Sequence, residues 1–302
     1  MKPASATTET VPGLDAGAVA RWRQLARQGS PWLHEEVAER MAQRLQWFRV
    51  PPDNGVHWEP VLGGLQAHAR LQSQWPQTRW QVWSGERTAP PVAVSPAPGR
   101  AWLRLPWRRE PPLPALPADG QVGMLWANMW LHHEPQPQAL LRRWFALLQT
   151  HGLLMFSCLG PDTLRELRQV YEQAGWPPAG HALTDMHDWG DMLVHAGFAE
   201  PVMDMERITL TFSSAQAVLD ELRTLGRNTH LDRHRALRGR HWRGQLLQAL
   251  ESGLPRDEQG RLMLTFEIIY GHASKPLPRV PMSAEQSVSV ADLRTLLREG
   301  RR

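Results

Sequence analysis

The sequence predicts an α/β sandwich around a mostly parallel sheet. Two observations predict it. Apolar runs short enough to be buried strands alternate with amphipathic helical stretches through most of the chain, and glycine or proline punctuates the joins. Composition agrees: 302 residues with 42% hydrophobic and 21% charged are ordinary globular values.

Taken in order, residues 1–18 are small and polar and read as a flexible tail, with the body over 19–276. Ser30-Pro31 is a cap and first-turn pair, after which Leu33, Val37, Met41 and Leu45 recur every fourth residue, the mark of an amphipathic helix. A strand is expected over 56–61, a helix over 64–74 and a second strand over 80–83. Residues 86–117 are proline-rich with one candidate strand at 101–105. Next come a buried strand at 122–127, a helix over 136–149 ended by Gly152, and a second buried strand at 153–158. Helices over 161–172, over 188–196 stopped by Gly197, and over 215–225 follow. Strand composition returns at 202–212 and 262–270, and these last strands allow an antiparallel edge. Residues 277–302 read as a tail, with Val290, Leu293, Leu296 and Leu297 on one face of a short helix.

Composition also narrows the function classes. The formal charge of +4 is too small to announce a nucleic-acid binder, and no apolar run is long enough to span a membrane. The amino terminus lacks the apolar core of a signal peptide, so a cytoplasmic location is expected. The single cysteine, Cys158, lies in an apolar run and reads as a buried thiol. Lysine occurs only at positions 2 and 275, so positive charge here means arginine. Arg233, Arg235, Arg238, Arg240 and Arg243 form its densest cluster, either a solvated helix face or a dock for an acidic partner. No metal is expected. His132-His133-Glu134 are adjacent and cannot face one ion, so they are placed at the mouth of a cleft, and His34-Glu35-Glu36 is read as helix surface.

In such a fold a cofactor sits at the carboxyl ends of the strands, where a glycine turn lets the backbone approach it. The first loop reads Glu59-Pro60-Val61-Leu62-Gly63-Gly64-Leu65, and the second strand ends in Trp83-Ser84-Gly85-Glu86. More specific are Phe156-Ser157-Cys158-Leu159-Gly160-Pro161-Asp162-Thr163-Leu164, then Asp185-Met186-His187-Asp188, Ala196-Gly197-Phe198, and Glu267-Ile268-Ile269-Tyr270-Gly271-His272-Ala273. Together and in this order these segments closely resemble the malonyl-acyl-carrier-protein O-methyltransferases of biotin synthesis. The resemblance covers residues 120–275 strongly and 20–85 weakly.

The resemblance implies a class I methyltransferase, Rossmann-like, three-layer sandwich on a seven-stranded, mostly parallel sheet with an antiparallel edge strand. It implies S-adenosylmethionine as cofactor and, as partner, an acidic acyl carrier protein whose malonyl carboxylate receives the methyl group. Carried over by position, the loop acid falls on Glu59, the surviving glycine on Gly63 with Gly64 beside it, and the flanking glycines on Val61 and Leu65. The ribose-gripping acid falls on Ser84, with Glu86 two residues on, and the residue flanking the methionine part is Asn128. The acid expected near the adenine has no counterpart among residues 105–109. Arg165, Arg168 and Arg207 are candidates for the malonyl carboxylate or the carrier. The alternative function is a binding or scaffold protein that keeps the fold and fills the cofactor end with Trp58, Val61 and Leu65.

Overall fold

The computed structural model describes residues 11–25, 29–85, 116–236 and 238–278. Six strands form one sheet: β1 (Asn54–Trp58), β2 (Arg79–Trp83), β3 (Val122–Ala127), β4 (Leu148–Leu159), β5 (Ala199–Phe212) and β6 (Leu262–Ser274). They lie in the order β2-β1-β3-β4-β6-β5. The first four are mutually parallel, and β6 pairs antiparallel with both β4 and β5, which gives the expected antiparallel edge. The candidate strand at 101–105 and the candidate helix at the carboxyl end lie outside the described residues.

Helices cover both faces: α1 (Ala16–Arg23), α2 (Trp32–Gln43), α3 (Pro60–Gly63), α4 (Leu65–Gln74), α5 (Pro137–Leu147), α6 (Arg165–Gln173), α7 (Met186–Ala196), α8 (Ala215–Leu225) and α9 (Arg240–Gly253). The two-residue period of β3 divides the core. Met124 and Trp126 pack with Leu33, Val37 and Met41 of α2 and with Leu71 of α4, while Leu125 and Ala127 pack with Leu141 and Trp144 of α5 and Trp189 of α7. All six residues of β3 are buried, as a central strand covered on both faces requires.

Several boundaries differ from expectation, each for a physical reason. The strand predicted through residue 61 stops at Trp58, because Glu59 turns left-handed at φ 52° and Pro60 has no N–H to give a ladder. Gly152 does not end the helix: α5 stops at Leu147 and Gly152 lies inside β4, where an added Cβ would stand 2.8 Å from the Gln149 carbonyl and 2.9 Å from that of Val122. The stretch expected as a tail to residue 18 is placed from Val11 onward. Leu14 is buried and bridges to His230, and Asp15 caps α1 by accepting from the Ala18 N–H at 3.0 Å. By contrast α8 falls on the expected residues, capped by Ser214 accepting from the Ala217 N–H, and Gly197 closes α7 at φ 102° as expected, although Asp185 starts that helix two residues early. Among the described residues no helix is long and apolar enough to cross a membrane.

Candidate functional site

β1, β3 and β4 run parallel, so their carboxyl ends share one edge of the sheet, and every predicted site residue but Arg207 follows one of those ends or that of β2. The turn after β1 is tight. Glu59 is buried in the left-handed region, its N–H donates to the Trp83 carbonyl at 2.7 Å, and its carbonyl accepts from the Gly63 N–H at 2.8 Å. Its carboxylate crosses to the end of β2 and accepts from the Gly85 N–H, the amide that follows Ser84, at 2.6 Å. Glu59 thus ties the glycine turn after β1 to the backbone at the end of β2.

Both glycines are required by close approach. A Cβ on Gly63 would stand 2.9 Å from the Asn128 carbonyl. One on Gly64, at φ 118°, would stand 3.0 Å from both Ala67 and the Glu35 carboxylate. Asn128 is fully buried and its side-chain amide is committed within the protein. Its Nδ2 donates to the His34 carbonyl at 2.8 Å and to the Gly63 carbonyl, while its Oδ1 accepts from the Ser157 hydroxyl at 2.6 Å. The side chain thus braces α2, the first loop and β4 against one another, and both it and the Asn128 carbonyl lie against Gly63.

Sequence reasoning missed Glu35. Its carboxylate accepts from the Gln66 and Ala67 N–H groups, both at 3.2 Å, at the start of α4, and Ser30 links to it while accepting from the Leu65 N–H. An acid from α2 therefore caps the amino end of α4 across 31 residues of chain. No local spacing signals this. The preceding His34, read as helix surface, is buried, and its Nδ1 donates to the Leu62 carbonyl at 2.8 Å.

The turn after β4 is pinned to β6. Gly160 N–H donates to the Glu267 carbonyl at 2.9 Å, Asp162 N–H to the Glu267 carboxylate at 2.6 Å, and Leu164 N–H to the Thr265 carbonyl at 2.7 Å. Arg168 spends its guanidinium on the Pro161 and Thr163 carbonyls at 2.6 and 2.9 Å, and Arg207 pairs with Asp162 at 2.6 Å. Both arginines thus converge on one turn. Arg165, exposed at the start of α6, meets the neighbouring Glu166 carboxylate at 3.6 Å.

Aromatic and imidazole rings fill the space behind these turns. Trp58 is buried against Trp83, ring centroids 3.8 Å apart, and meets Trp144 edge-on. His132 and His133 are buried rather than at a cleft mouth, 3.9 Å apart, with His133 against Trp22. Burial holds both well below the usual histidine pKa, as it does His57, whose neighbour His68 adds to the shift. Among the described residues no group of three or more such side chains is arranged to hold a metal ion. Cys158 is buried, and burial pushes its thiol pKa up, so it stays protonated. The arginine cluster divides: Arg233 pairs with Asp15 at 2.7 Å and fastens α1, Arg238 stacks on Trp242, and Arg235, Arg240 and Arg243 face solvent.

No family model matches the chain. Over most of its length it is similar to malonyl-[acyl-carrier protein] O-methyltransferases. That of Gallionella capsiferriformans is 39% identical over 264 residues, 82% of this chain and 86% of that protein. That of Laribacter hongkongensis is 37% identical over 257 residues, 82% and 84%. Among solved structures, a SAM-dependent methyltransferase from Archaeoglobus fulgidus is 11% identical with a TM-score of 0.37, covering 80% of this chain and 94% of that one. At that score the likeness adds nothing to the strand order already described.

Proposed function

Since the chain belongs to the malonyl-[acyl-carrier protein] O-methyltransferase family, we propose that it transfers the methyl group of S-adenosylmethionine to the free carboxylate of a malonyl thioester on an acyl carrier protein. The observation that carries the reading is the convergence of the turn after β1 with the end of β2. A left-handed turn with two glycines brings backbone to the edge of the sheet, and the Glu59 carboxylate reaches the amide that follows Ser84. A carboxylate and a hydroxyl at that point fit a ribose diol, which offers two donors and two acceptors.

When bound, S-adenosylmethionine supplies an electrophilic sulfonium methyl. The residues of this chain have the remaining tasks. Glu59 and Ser84 would hold the ribose, and the backbone at Gly63 and Gly64 would lie against the cofactor. Asn128 is a positioning residue, since its amide fixes the Gly63 carbonyl and Ser157. The malonyl carboxylate is already a nucleophile at neutral pH, so no side chain need take a proton. What is required is alignment and exclusion of water. The buried Trp58, Met129 and Trp130 supply dry surroundings at this edge. Of the three candidate substrate arginines, Arg168 and Arg207 would act by shaping the 160–164 turn, and Arg165, exposed at the start of α6, has the weaker ion pair. Arg235, Arg240 and Arg243 form the face offered to an acidic carrier.

The test is calorimetric titration with S-adenosylhomocysteine, followed by methyl transfer to malonyl-acyl carrier protein. Binding in the micromolar range and a saponifiable methyl ester on the malonyl group are expected. Absence of both heat and thermal stabilisation at millimolar ligand would overturn the reading and leave a methyltransferase fold kept for binding a partner.

A further inference from the structure

A cavity of about 490 Å³ opens where the amino-terminal helices meet the carboxyl end of α8. Trp22, Leu25 and Trp32 form its apolar wall, and Glu221, Arg223 and Arg227 its polar one. It is of the size that encloses small ligands.

Its position connects it to the cofactor turn. Ser30, which also lines it, accepts from the Leu65 N–H at the start of α4 at 3.2 Å. Trp22 packs on His133 just beyond β3, and a Cβ on Gly226, the residue closing α8, would come within 4.0 Å of both. The cavity therefore abuts the carboxyl ends of β1 and β3. The β4 turn, where Arg168 and Arg207 are already engaged, is a different place.

The polar wall is neutralised only in part. Arg223 has an exposed ion pair with Asp220 at 2.8 Å, a contact that solvent screens. Arg227 gives one nitrogen to the Arg223 and Gly226 carbonyls at 2.6 and 2.7 Å and meets no carboxylate among the described residues. One oxygen of Glu221 is buried without a hydrogen-bond partner among those residues, a state that favours a donor arriving from outside. Two guanidinium groups, an acceptor lacking a donor and two exposed aromatic or aliphatic side chains match a long, amide-containing arm that ends in an anion.

We propose that this cavity is the acceptor pocket. Arg223 and Arg227 receive an anionic group of the acyl thioester, Glu221 accepts an amide N–H of its arm, and Trp32 and Leu25 cover its methylenes. This deepens the proposed function and rests on it for the identity of the thioester. The anion is either the malonyl carboxylate or the phosphate of the arm. If it is the carboxylate, methylation removes the charge the arginines hold, so the neutral ester leaves more readily than the acid binds.

Calorimetry with malonyl-coenzyme A, with the malonyl thioester of N-acetylcysteamine as the phosphate-free probe, tests this without depending on turnover. Arg223→Gln and Arg227→Gln should each weaken malonyl-coenzyme A by about tenfold or more. Thr224→Trp, which fills the cavity without removing a charge, should do the same, while S-adenosylhomocysteine affinity and Tm stay at wild-type values. Arg227→Lys should recover part of the loss. Weakening of both probes assigns the anion to the carboxylate, and weakening of malonyl-coenzyme A alone assigns it to the phosphate; either supports the pocket. Wild-type protein that binds neither probe, or variants that bind as wild type, would overturn it. Wild-type binding without methyl transfer would instead count against the proposed reaction and leave the pocket standing.

Discussion

The turns after β4 and after β1 sit on the same edge of the sheet, yet different contacts hold them. Gly160 to Leu164 is laced to β6, the strand paired directly with β4, and most of its contacts are to Thr265 and Glu267. The turn after β1 depends on elements brought from elsewhere: Glu35 and His34 of α2, Asn128 beyond β3 and Gly85 beyond β2. The β4 turn is therefore as stable as the sheet. The first turn, after β1, is stable only while three separate elements stay docked, which is where a site can be altered without altering the fold.

The largest expected effect tests that dependence. Asn128→Leu keeps the volume but removes the donor shared by the His34 and Gly63 carbonyls and the acceptor of the Ser157 hydroxyl proton in a fully buried place. At about 1–3 kcal/mol for each buried group left unpaired, a loss of about 3 kcal/mol or more is expected in urea unfolding, together with loss of S-adenosylhomocysteine binding. A variant as stable as wild type would mean that the first turn does not need its brace.

Next in size is the response to acid. His57 lies in β1 and His132 and His133 follow β3, with His132 alone reaching the end of β4 through the Leu159 N–H, and burial keeps their folded pKa values well below the unfolded one. The unfolded chain therefore takes up protons first. Their contribution is fully present above about pH 6.5 and declines as pH falls from there toward the folded pKa values, by up to about 1.4 kcal/mol per pH unit for each group. Urea midpoints should fall between pH 7.5 and 5.5, with amide exchange accelerating around the β1 turn before the β4 turn. Equal acceleration at the two turns would remove the distinction drawn between them.

Smallest is the cap supplied from α2. Glu35→Ala deprives α4 of its acceptor at Gln66 and Ala67, a loss of about 1 kcal/mol on the scale of helix caps. Thermal unfolding measures it, and an unchanged midpoint would show that the α2 carboxylate does not secure the first turn.

Much of the fold was legible because local chemistry decided it. The run at 122–127 and the Gly197 stop each carry their instruction within a few residues, and α8 falls on the expected residues. The segments around Gly160 and Glu267 were readable as family motifs, whereas the contacts that join them across 105 residues were not. Helix α1 was not legible, because Ala16 to Arg23 is weakly patterned and is ordered by the Asp15 cap, the Arg233 ion pair and the bridge to His230. Of the candidate site, Glu59, Gly63, Gly64 and Ser84 could be grouped from the family resemblance, but the committed amide of Asn128 and the capping role of Glu35 could not. Each depends on a partner 31 to 94 residues away in the chain.

By itself the sequence determined the alternation of strands and helices, the family and the edge of the sheet that carries the site, because hydrophobic period, capping residues and motif order are local properties. Only the tertiary structure decided which polar groups at that edge are already spent and which stay open. Whether a buried amide or carboxylate faces a ligand or a distant backbone group is settled by the elements that pack against it.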